Sequence, residues 1–416
     1  MYLYIYRFLI NLVLVFSPFI ILFRLFKKKE DLFRFKEKFC FFSKKKIKKK
    51  LIWFHGASVG ELMSIIPLVQ KFEKINTIDQ ILITTSTVSS AKVFEKFKFK
   101  KTIHQFFPID TNFISNSFLD YWKPSLAIFV DSEIWPNMLL NIKKKTIPAI
   151  LLNARITNKS FKRWKLFGNF SFEIFNCFTK ALPCNKDTYN RLKYFNLKNI
   201  KFIGNLKFSQ KENYKLIVPK KVQEFFSKKT FWCAGSTHNK EEIICINVHK
   251  RLKKKYNNLI SIIIPRHINR KLELISLFEE NGLSVHCHSS KKKISNKTDV
   301  YLVDTYGESS LFYKLCNVVF IGGSIVKHGG QNPLEASRLG CKIIHGPNVD
   351  NFKDIYKLLS KLKISKEINS TENLLKNIDT QIKLNKNSNL IIKKIERTGK
   401  KIMELTLKEF KEVLDK

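Results

Sequence analysis

From residue 51 onward, short apolar runs alternate with stretches of helical period, and this constrains the fold more than any other feature. The runs at 51–55, 80–85, 103–107, 126–130, 148–152 and 200–203 read as strands. They are near-continuous in Ile, Leu, Phe and Val rather than alternating apolar with polar. That is the pattern of strands buried on both faces of a parallel sheet, with helices covering it. Residues 209–228 are Lys-rich and lack a strong apolar pattern, so they read as a linker. Alternation then restarts, with runs at 230–234, 259–264, 299–303, 317–321 and 341–345. The expectation is an α/β protein with two Rossmann-like domains, 28–208 and 229–385, preceded by a hydrophobic segment at 1–27 and followed by a charged helix at 386–416. No internal repeat is visible. A tail of this composition is ordinarily a solvated surface helix. Ligands of such folds bind at the carboxyl ends of the strands, where loops meet helix N-termini.

Composition adds two constraints. Lys+Arg is 76 against 34 Asp+Glu, a net charge of +42. Such a balance points to an anionic partner, whether nucleic acid, acidic membrane or phosphorylated substrate, unless it is a Lys-rich bias on a solvated surface. Glycine is scarce at 14 residues, yet Gly322, Gly323, Gly329, Gly330, Gly340 and Gly346 cluster within one stretch. The eight cysteines form no C-x-x-C pair and no zinc spacing, which reads as a reducing compartment without disulfides.

The opening segment, MYLYIYRFLINLVLVFSPFIILFRLF, is uncharged from Phe8 to Phe23. This falls short of the roughly 20 residues of a full span, although Arg7 and Arg24 can snorkel. No small-residue cleavage site follows; the chain runs into Lys27, Lys28 and Lys29, and then into a second basic block from Lys44 to Lys50. The segment reads as a membrane anchor, with the rest of the chain on the cytoplasmic side and its basic flank against an anionic leaflet.

The chemistry-bearing residues sit just past the strands. After 51–55 comes His55-Gly56-Ala57-Ser58-Val59-Gly60-Glu61. Ser58 and Glu61 form S-x-x-E, a capping box. Glu61 is alternatively a general base; at a helix start it is expected to be reliably ionised and therefore weakly basic. After 126–130 comes Asp131-Ser132-Glu133-Ile134-Trp135-Pro136-Asn137, with Pro136 suited to a first helical turn. Asp131 and Glu133 need not form an acid/base pair; one is read as facing inward and the other as capping. Asn153-Ala154-Arg155 supplies a guanidinium fit for phosphate, carboxylate or a structural ion pair. Gly204-Asn205-Leu206-Lys207 ends the first half, and Lys207 either reaches a ligand or is one more surface lysine.

In the second half the islands are Gly235-Ser236-Thr237-His238, Pro265-Arg266-His267, Tyr306-Gly307-Glu308 and the segment from Gly322 to Glu335. Asn332 suits an N-cap, Pro333 the first helical position, and Glu335 follows three after the cap. A glycine loop ending in a helix N-terminus suggests an anion site built from free backbone N–H groups. Glu335, one turn in, is placed to accept from ribose hydroxyls. Neither G-x-G-x-x-G nor a Walker A motif occurs, which disfavours dinucleotide oxidoreductases and P-loop NTPases.

Two such domains, one with a nucleotide-type site and one with a carboxylate, suit the GT-B glycosyltransferase architecture. H-G-A-S-V-G-E at 55–61, D-S-E-I-W-P-N at 131–137, L-N-A-R at 152–155, G-N-L-K-F at 204–208, A-G-S-T-H at 234–238, P-R-H at 265–267 and G-G-Q-N-P-L-E at 329–335 together resemble the 3-deoxy-D-manno-octulosonic acid (Kdo) transferases of lipopolysaccharide synthesis. The resemblance covers roughly 30–360, in order, and includes the hydrophobic start. It implies an acceptor-binding first domain, a CMP-sugar-binding second domain, and transfer of Kdo from CMP-Kdo to a hydroxyl of lipid IVA with inversion. It implies Glu61 as general base and Asp131 and Lys207 as transition-state stabilisers. CMP contacts are implied for Arg266, His267, Tyr306, Gly307, Glu308, Asn332, Pro333, Leu334 and Glu335. No metal or other cofactor is implied, and the place of action is the cytoplasmic face of the bacterial inner membrane. The chain departs from the family at Asp131, usually Glu; at Gln331, usually His; at Ala336, usually Pro; and at Tyr306, usually Met. Gln331 cannot titrate, so a proton role there is excluded.

Three rivals remain: a GT-B enzyme with another nucleotide sugar, a nucleic-acid-binding protein, and a non-catalytic lipid-binding scaffold. Basic and aromatic residues do not alternate on one face, which weighs against nucleic acid. On the family reading the positive charge instead meets CMP phosphate, the Kdo carboxylate, the phosphates of lipid IVA and the acidic leaflet.

Overall fold

The structure is a computed structural model that describes residues 1–47, 50–210, 217–384 and 388–414. The chain divides into two compact units, Met1–Lys211 with Gly399–Lys416, and Glu212–Thr398. Both are α/β, as the alternation implied.

The first unit carries strands β1 (Leu51–His55), β2 (Gln80–Thr85), β3 (Thr102–Phe106), β4 (Leu126–Val130), β5 (Ala149–Ala154) and β6 (Lys180–Pro183). All pair in parallel, in the order β3-β2-β1-β4-β5-β6. Every residue of β1, β2 and β4 is buried. That explains the unbroken apolar runs: helices cover both faces, so neither face needs polar side chains. Between strands, the helices Val59–Phe72, Val88–Phe94, Asn112–Trp122, Asn158–Leu166 and Lys186–Tyr194 start on Ser58, Thr87, Thr111, Thr157 and Asn185. Each of these five side chains accepts a backbone N–H of its helix's first turn, satisfying a donor the helix cannot. The strand order reverses between β1 and β4, and a ligand crevice in this topology forms at their carboxyl ends. Those ends carry His55 and Asp131.

The sheet differs from the sequence reading at its edge. Residues 200–203 are not a strand; only Ala181 and Ile200 bridge. The sixth strand is β6, which opens on a lysine. Lys180 is buried, its Nζ 2.7 Å from Glu409 and 2.8 Å from Glu412. Both partners lie on the helix Ser388–Leu414, whose Thr406, Glu409 and Phe410 are buried, with Phe410 edge-on to Phe72 at 5.5 Å. The tail is helical as read, but its last turns belong to the first unit's core rather than to a solvated surface.

The N-terminal segment forms two helices, Tyr2–Val15 and Ser17–Phe26, bent by 55°. No single helix among the described residues is long and apolar enough to cross a membrane, though this bent pair together meets the length and composition. The pair is tied to the first unit by polar side chains. Tyr6 donates to Asp110 at 2.7 Å, and Arg7 reaches Asn137 at 3.0 Å and Asn112 at 3.2 Å. Much of its surface is apolar and open: Phe8, Phe19, Leu22, Phe23 and Phe26 are exposed.

The second unit holds β7 (Thr230–Thr237), β8 (Leu259–Pro265), β9 (Val285–Cys287), β10 (Val300–Leu302), β11 (Val318–Ile321), β12 (Lys342–His345) and β13 (Ser365–Glu367). They form one parallel sheet in the order β13-β12-β11-β7-β8-β10-β9, over a core that includes Trp232, Ile263, Phe278 and Phe320. Its switch point lies between β7 and β11, where Gly235–His238 and the glycine cluster emerge. Within the expected linker, 211–216 lie outside the described residues, while Lys220–Ser227 is a helix with Val222 and Phe226 buried, Phe226 packing on Phe231 and Tyr301.

Candidate active site

In the first unit the capping box is realised. Ser58 Oγ accepts from Glu61 N at 3.4 Å, and Glu61 Oε2 accepts from Ser58 N at 3.2 Å. A Cβ on Gly56 would lie 3.1 Å from the Glu61 Cβ, so the glycine leaves room for Glu61 to fold back over it. Capping does not keep Glu61 reliably ionised. Burial first, then the Glu133 and Asp131 carboxylates, push its pKa up to about 7, against the Ser58 N–H that favours the anion. One hydrogen bond and a helix N-terminus are outweighed by desolvation and two like charges. The weak, always-charged base expected from sequence is thus a group poised near neutrality, where general bases work best.

Asp131 ends β4 with φ at 65°, a left-handed conformation that Asp tolerates better than most residues. The strand therefore does not continue, and Asp131 and Glu133 both act on Glu61, rather than one of them capping. Asp131 N donates to Leu152 O and Asp131 O accepts from Arg155 N, each at 3.0 Å, which locks the turn to the end of β5. Its carboxylate lies 3.9 Å from Lys207 Nζ and accepts from Ser132 Oγ at 3.1 Å. Burial raises the Asp131 pKa, with Lys207 and Arg155 opposing. Lys207 is held there by two asparagines: Asn153 accepts from Leu206 N at 2.8 Å, and Asn205 accepts from Lys207 N at 3.0 Å. Glu133 caps nothing. It accepts from Trp135 Nε1 at 2.8 Å and stands 3.1 Å from His55 Nε2, and these partners hold its pKa low despite burial. The helix Pro136–Lys144 does start on Pro136, and its free N–H groups at Asn137 and Met138 go to Asp110.

In the second unit, the N–H groups at the start of the glycine-rich segment are taken up within the protein. Gly323 N, Ser324 N and Ile325 N all donate to the carboxylate of Glu241, at 2.7, 3.1 and 3.0 Å, and His238 N joins them at 3.0 Å. Gly322 N donates to Gly235 O, and Gly330 N to Gly323 O. The glycines are there for close approach: a Cβ on Gly322 would meet Ser236 O at 2.5 Å, and one on Gly346 would meet Ser324 O at 2.4 Å. A fully buried glutamate thus staples the loop after β11 to the loop after β7. The helix after the glycines is short, Leu334–Arg338, and is entered through Pro333, one residue later than expected. Asn332 still serves it, accepting from Leu334 N at 3.1 Å.

Glu335 accepts from Ser309 Oγ at 2.9 Å and from Ser310 Oγ, which joins its segment to Tyr306, Gly307 and Glu308. Gly307 has φ at 81° and Tyr306 is exposed; Glu308 accepts from Thr305 Oγ1 and lies 3.3 Å from His288 Nε2. Arg266 and His267 are exposed just past β8, with the His267 ring 6.1 Å from His238, which stacks at 4.5 Å on His328. No group of three or more His, Cys, Asp or Glu able to hold a metal occurs among the described residues.

A family model described as 3-deoxy-D-manno-octulosonic-acid transferase (kdotransferase) matches residues 33–210. The 3-deoxy-D-manno-octulosonic acid transferase of Rickettsia bellii is 34% identical over 98% of this chain and 97% of its own length. The chain belongs to the Kdo transferase family. The Rickettsia prowazekii member is 33% identical over 88% of this chain and 80% of its own length. In fold, a glycosyltransferase from Rickettsia africae superposes with a TM-score of 0.58 at 11% identity, covering 88% of this chain and 99% of that one. The two parallel-sheet units resemble in fold those of GT-B glycosyltransferases.

For a Kdo transferase, the first unit gathers Glu61, Asp131 and Lys207 at the ends of β1, β4 and β5, and the second gathers the remaining candidates by the loops after β8, β10 and β11. His55, Glu133 and Asn153 lay within islands read from sequence but were given no catalytic or binding role, and Glu241 was not singled out at all. The signal for Glu241 was present as His238-x-x-Glu241 at a helix start, the spacing of a capping box. His55 and Glu133 lie 78 positions apart, and no local pattern joins them.

Proposed function

We propose that the protein transfers Kdo from CMP-Kdo to a hydroxyl of lipid IVA with inversion at the anomeric carbon, at the cytoplasmic face of the inner membrane. The observation that carries this reading is Glu61, held near neutrality beside Asp131, Glu133 and Lys207, in a member of the Kdo transferase family. Glu61 takes the proton of the acceptor hydroxyl as its oxygen attacks the anomeric carbon. The bond from that carbon to the CMP phosphate breaks, and its electron pair leaves with the phosphate. The carbon passes through oxocarbenium character, which the Asp131 carboxylate stabilises, while Lys207 pairs with an anion, the Kdo carboxylate or the departing phosphate. Arg266 and His267 are exposed cations or donors for the phosphate. Glu308 and Glu335 are acceptors for ribose hydroxyls, with Tyr306, Gly307, Asn332, Pro333 and Leu334 shaping the nucleotide site. The reaction needs no metal. The open apolar surface of Tyr2–Val15 and Ser17–Phe26, next to Lys27, Lys28 and Lys29, seats the enzyme on an anionic leaflet beside its lipid acceptor.

The test is to incubate the purified full chain with CMP-Kdo and lipid IVA and weigh the products. A gain of one or more Kdo masses is expected, inhibited by CMP and not by UDP. No mass gain, or protection by UDP instead, refutes the reading.

A further inference from the structure

The environment of His55 leaves one proton unaccounted for by the usual neutral ring. The side chain is fully buried, stacked on Phe107 at 3.7 Å and flanked by Phe129 and Trp135. Its Nδ1 lies 3.0 Å from Thr84 Oγ1 and 3.2 Å from Thr84 O. The Thr84 hydroxyl accepts from Trp53 Nε1 at 2.9 Å and directs its own hydrogen to Phe54 O at 3.4 Å. Towards the ring, both Thr84 oxygens therefore present lone pairs, so Nδ1 must donate. On the other side, Nε2 faces Glu133 Oε2 at 3.1 Å. That oxygen already accepts from Trp135 Nε1 at 2.8 Å, as a carboxylate does. A ring protonated only on Nδ1 would set a lone pair against an anion, so the geometry favours a proton on Nε2 too.

We infer that His55 is a positioning residue of the transfer site: as an imidazolium it offsets part of the Glu133 charge, so that Glu133 bears less on Glu61 than a bare carboxylate would. The inference rests on the reading of Glu61 as the base. Among the described residues, the charged group that pairs with His55 is Glu133. Around Glu61 the charged groups are Glu133 and Asp131, with Lys207 and Arg155 acting on Asp131. Geometry explains the arrangement: β1 places His55 at the switch point, and the turn after β4 swings Glu133 over it. His55 touches no substrate in this account; it sets the electrostatic field in which Glu61 ionises.

The test combines activity with direct observation of the ring. In the full chain, in detergent with CMP-Kdo and lipid IVA, His55→Gln keeps a donor towards Glu133 but removes the positive charge. The acid limb of kcat/KM is expected to move up by about one pH unit, with activity near pH 8.5 largely retained. His55→Gln/Glu133→Gln removes both charges and should bring the limb back towards the wild type, a rescue that a merely structural role would not produce. Nitrogen-15 NMR of the imidazole groups, with the His55 signal assigned by its loss in His55→Gln, should show both ring nitrogens protonated at pH 7.5. A singly protonated ring, an unmoved limb in His55→Gln, or no rescue in the double variant would overturn the proposal. A Glu61→Gln enzyme that still transfers Kdo would instead refute Glu61 as the base. The two failures are told apart because the imidazole signal does not depend on Glu61.

Discussion

A base raised to neutrality costs stability, and Glu61→Gln should reveal the cost. Burial and two neighbouring carboxylates lift Glu61 from an ordinary 4.5 to about 7. With the folded pKa above the unfolded one, the folded state holds the proton more tightly. The contribution of Glu61 to stability is therefore fully present below about pH 4.5 and is lost as pH rises through about 7. At 1.36 kcal/mol per pH unit the full loss is at most about 3 kcal/mol; because the carboxylate is only partly buried, water screening reduces this to about 1–2 kcal/mol. Gln at the same position retains the capping-box geometry but cannot ionise. Urea melts of the full chain should show Glu61→Gln gaining on the wild type as pH rises from about 5, with the advantage levelling off above about 7.5, while transfer activity falls about 10²–10⁴-fold. A variant less stable than the wild type at pH 8.5, or an offset that does not change with pH, would refute the argument.

Three further outcomes follow from buried groups away from the reacting atoms. Lys180→Met strands the Glu409 carboxylate in the core with, among the described residues, the half-exposed Lys201 left to pair it, at a cost of about 3 kcal/mol, and Lys180→Met/Glu409→Leu should recover most of it in urea melts. Phe410→Ala opens a cavity beside Phe72 and should lower stability by about 3–5 kcal/mol, measured as the shift in the melting transition; no loss would mean that the final turns do not belong to this core. Glu241→Ala leaves the N–H groups of His238, Gly323, Ser324 and Ile325 without their acceptor, and CMP binding by calorimetry should weaken at least tenfold if these loops shape the nucleotide site.

What could be read in advance followed the range of the forces involved. Burial on both faces of a parallel sheet leaves unbroken apolar runs, so β1, β2, β4, β8 and β11 were visible with nearly correct limits. The short edge strands β9 and β13 left no such run, and β6 was hidden because its first residue is charged. Lys180 is tolerable in a strand only because Glu409 and Glu412 lie against it, more than two hundred residues on. The same distinction separates Asp131 from Glu133. The sequence reading set them in different roles, one inward and one capping, whereas the turn that Leu152 O and Arg155 N hold at Asp131 leaves both carboxylates bearing on Glu61. The glycine cluster was marked as special from sequence, but it was not legible there that the N–H groups of Gly323, Ser324 and Ile325 bind Glu241, a partner contributed by the helix after β7.

The sequence by itself determined the fold class, the two-domain plan and the positions at strand ends where chemistry can occur, because periodicity, caps and turns depend on neighbours a few residues apart. Only the tertiary structure decided the charge states that make those positions work. Whether Glu61 is a spectator anion or a base near neutrality depends on how much water it loses and which carboxylates and cations the other strands bring beside it. Those are through-space quantities set by packing, and no local pattern of residues carries them.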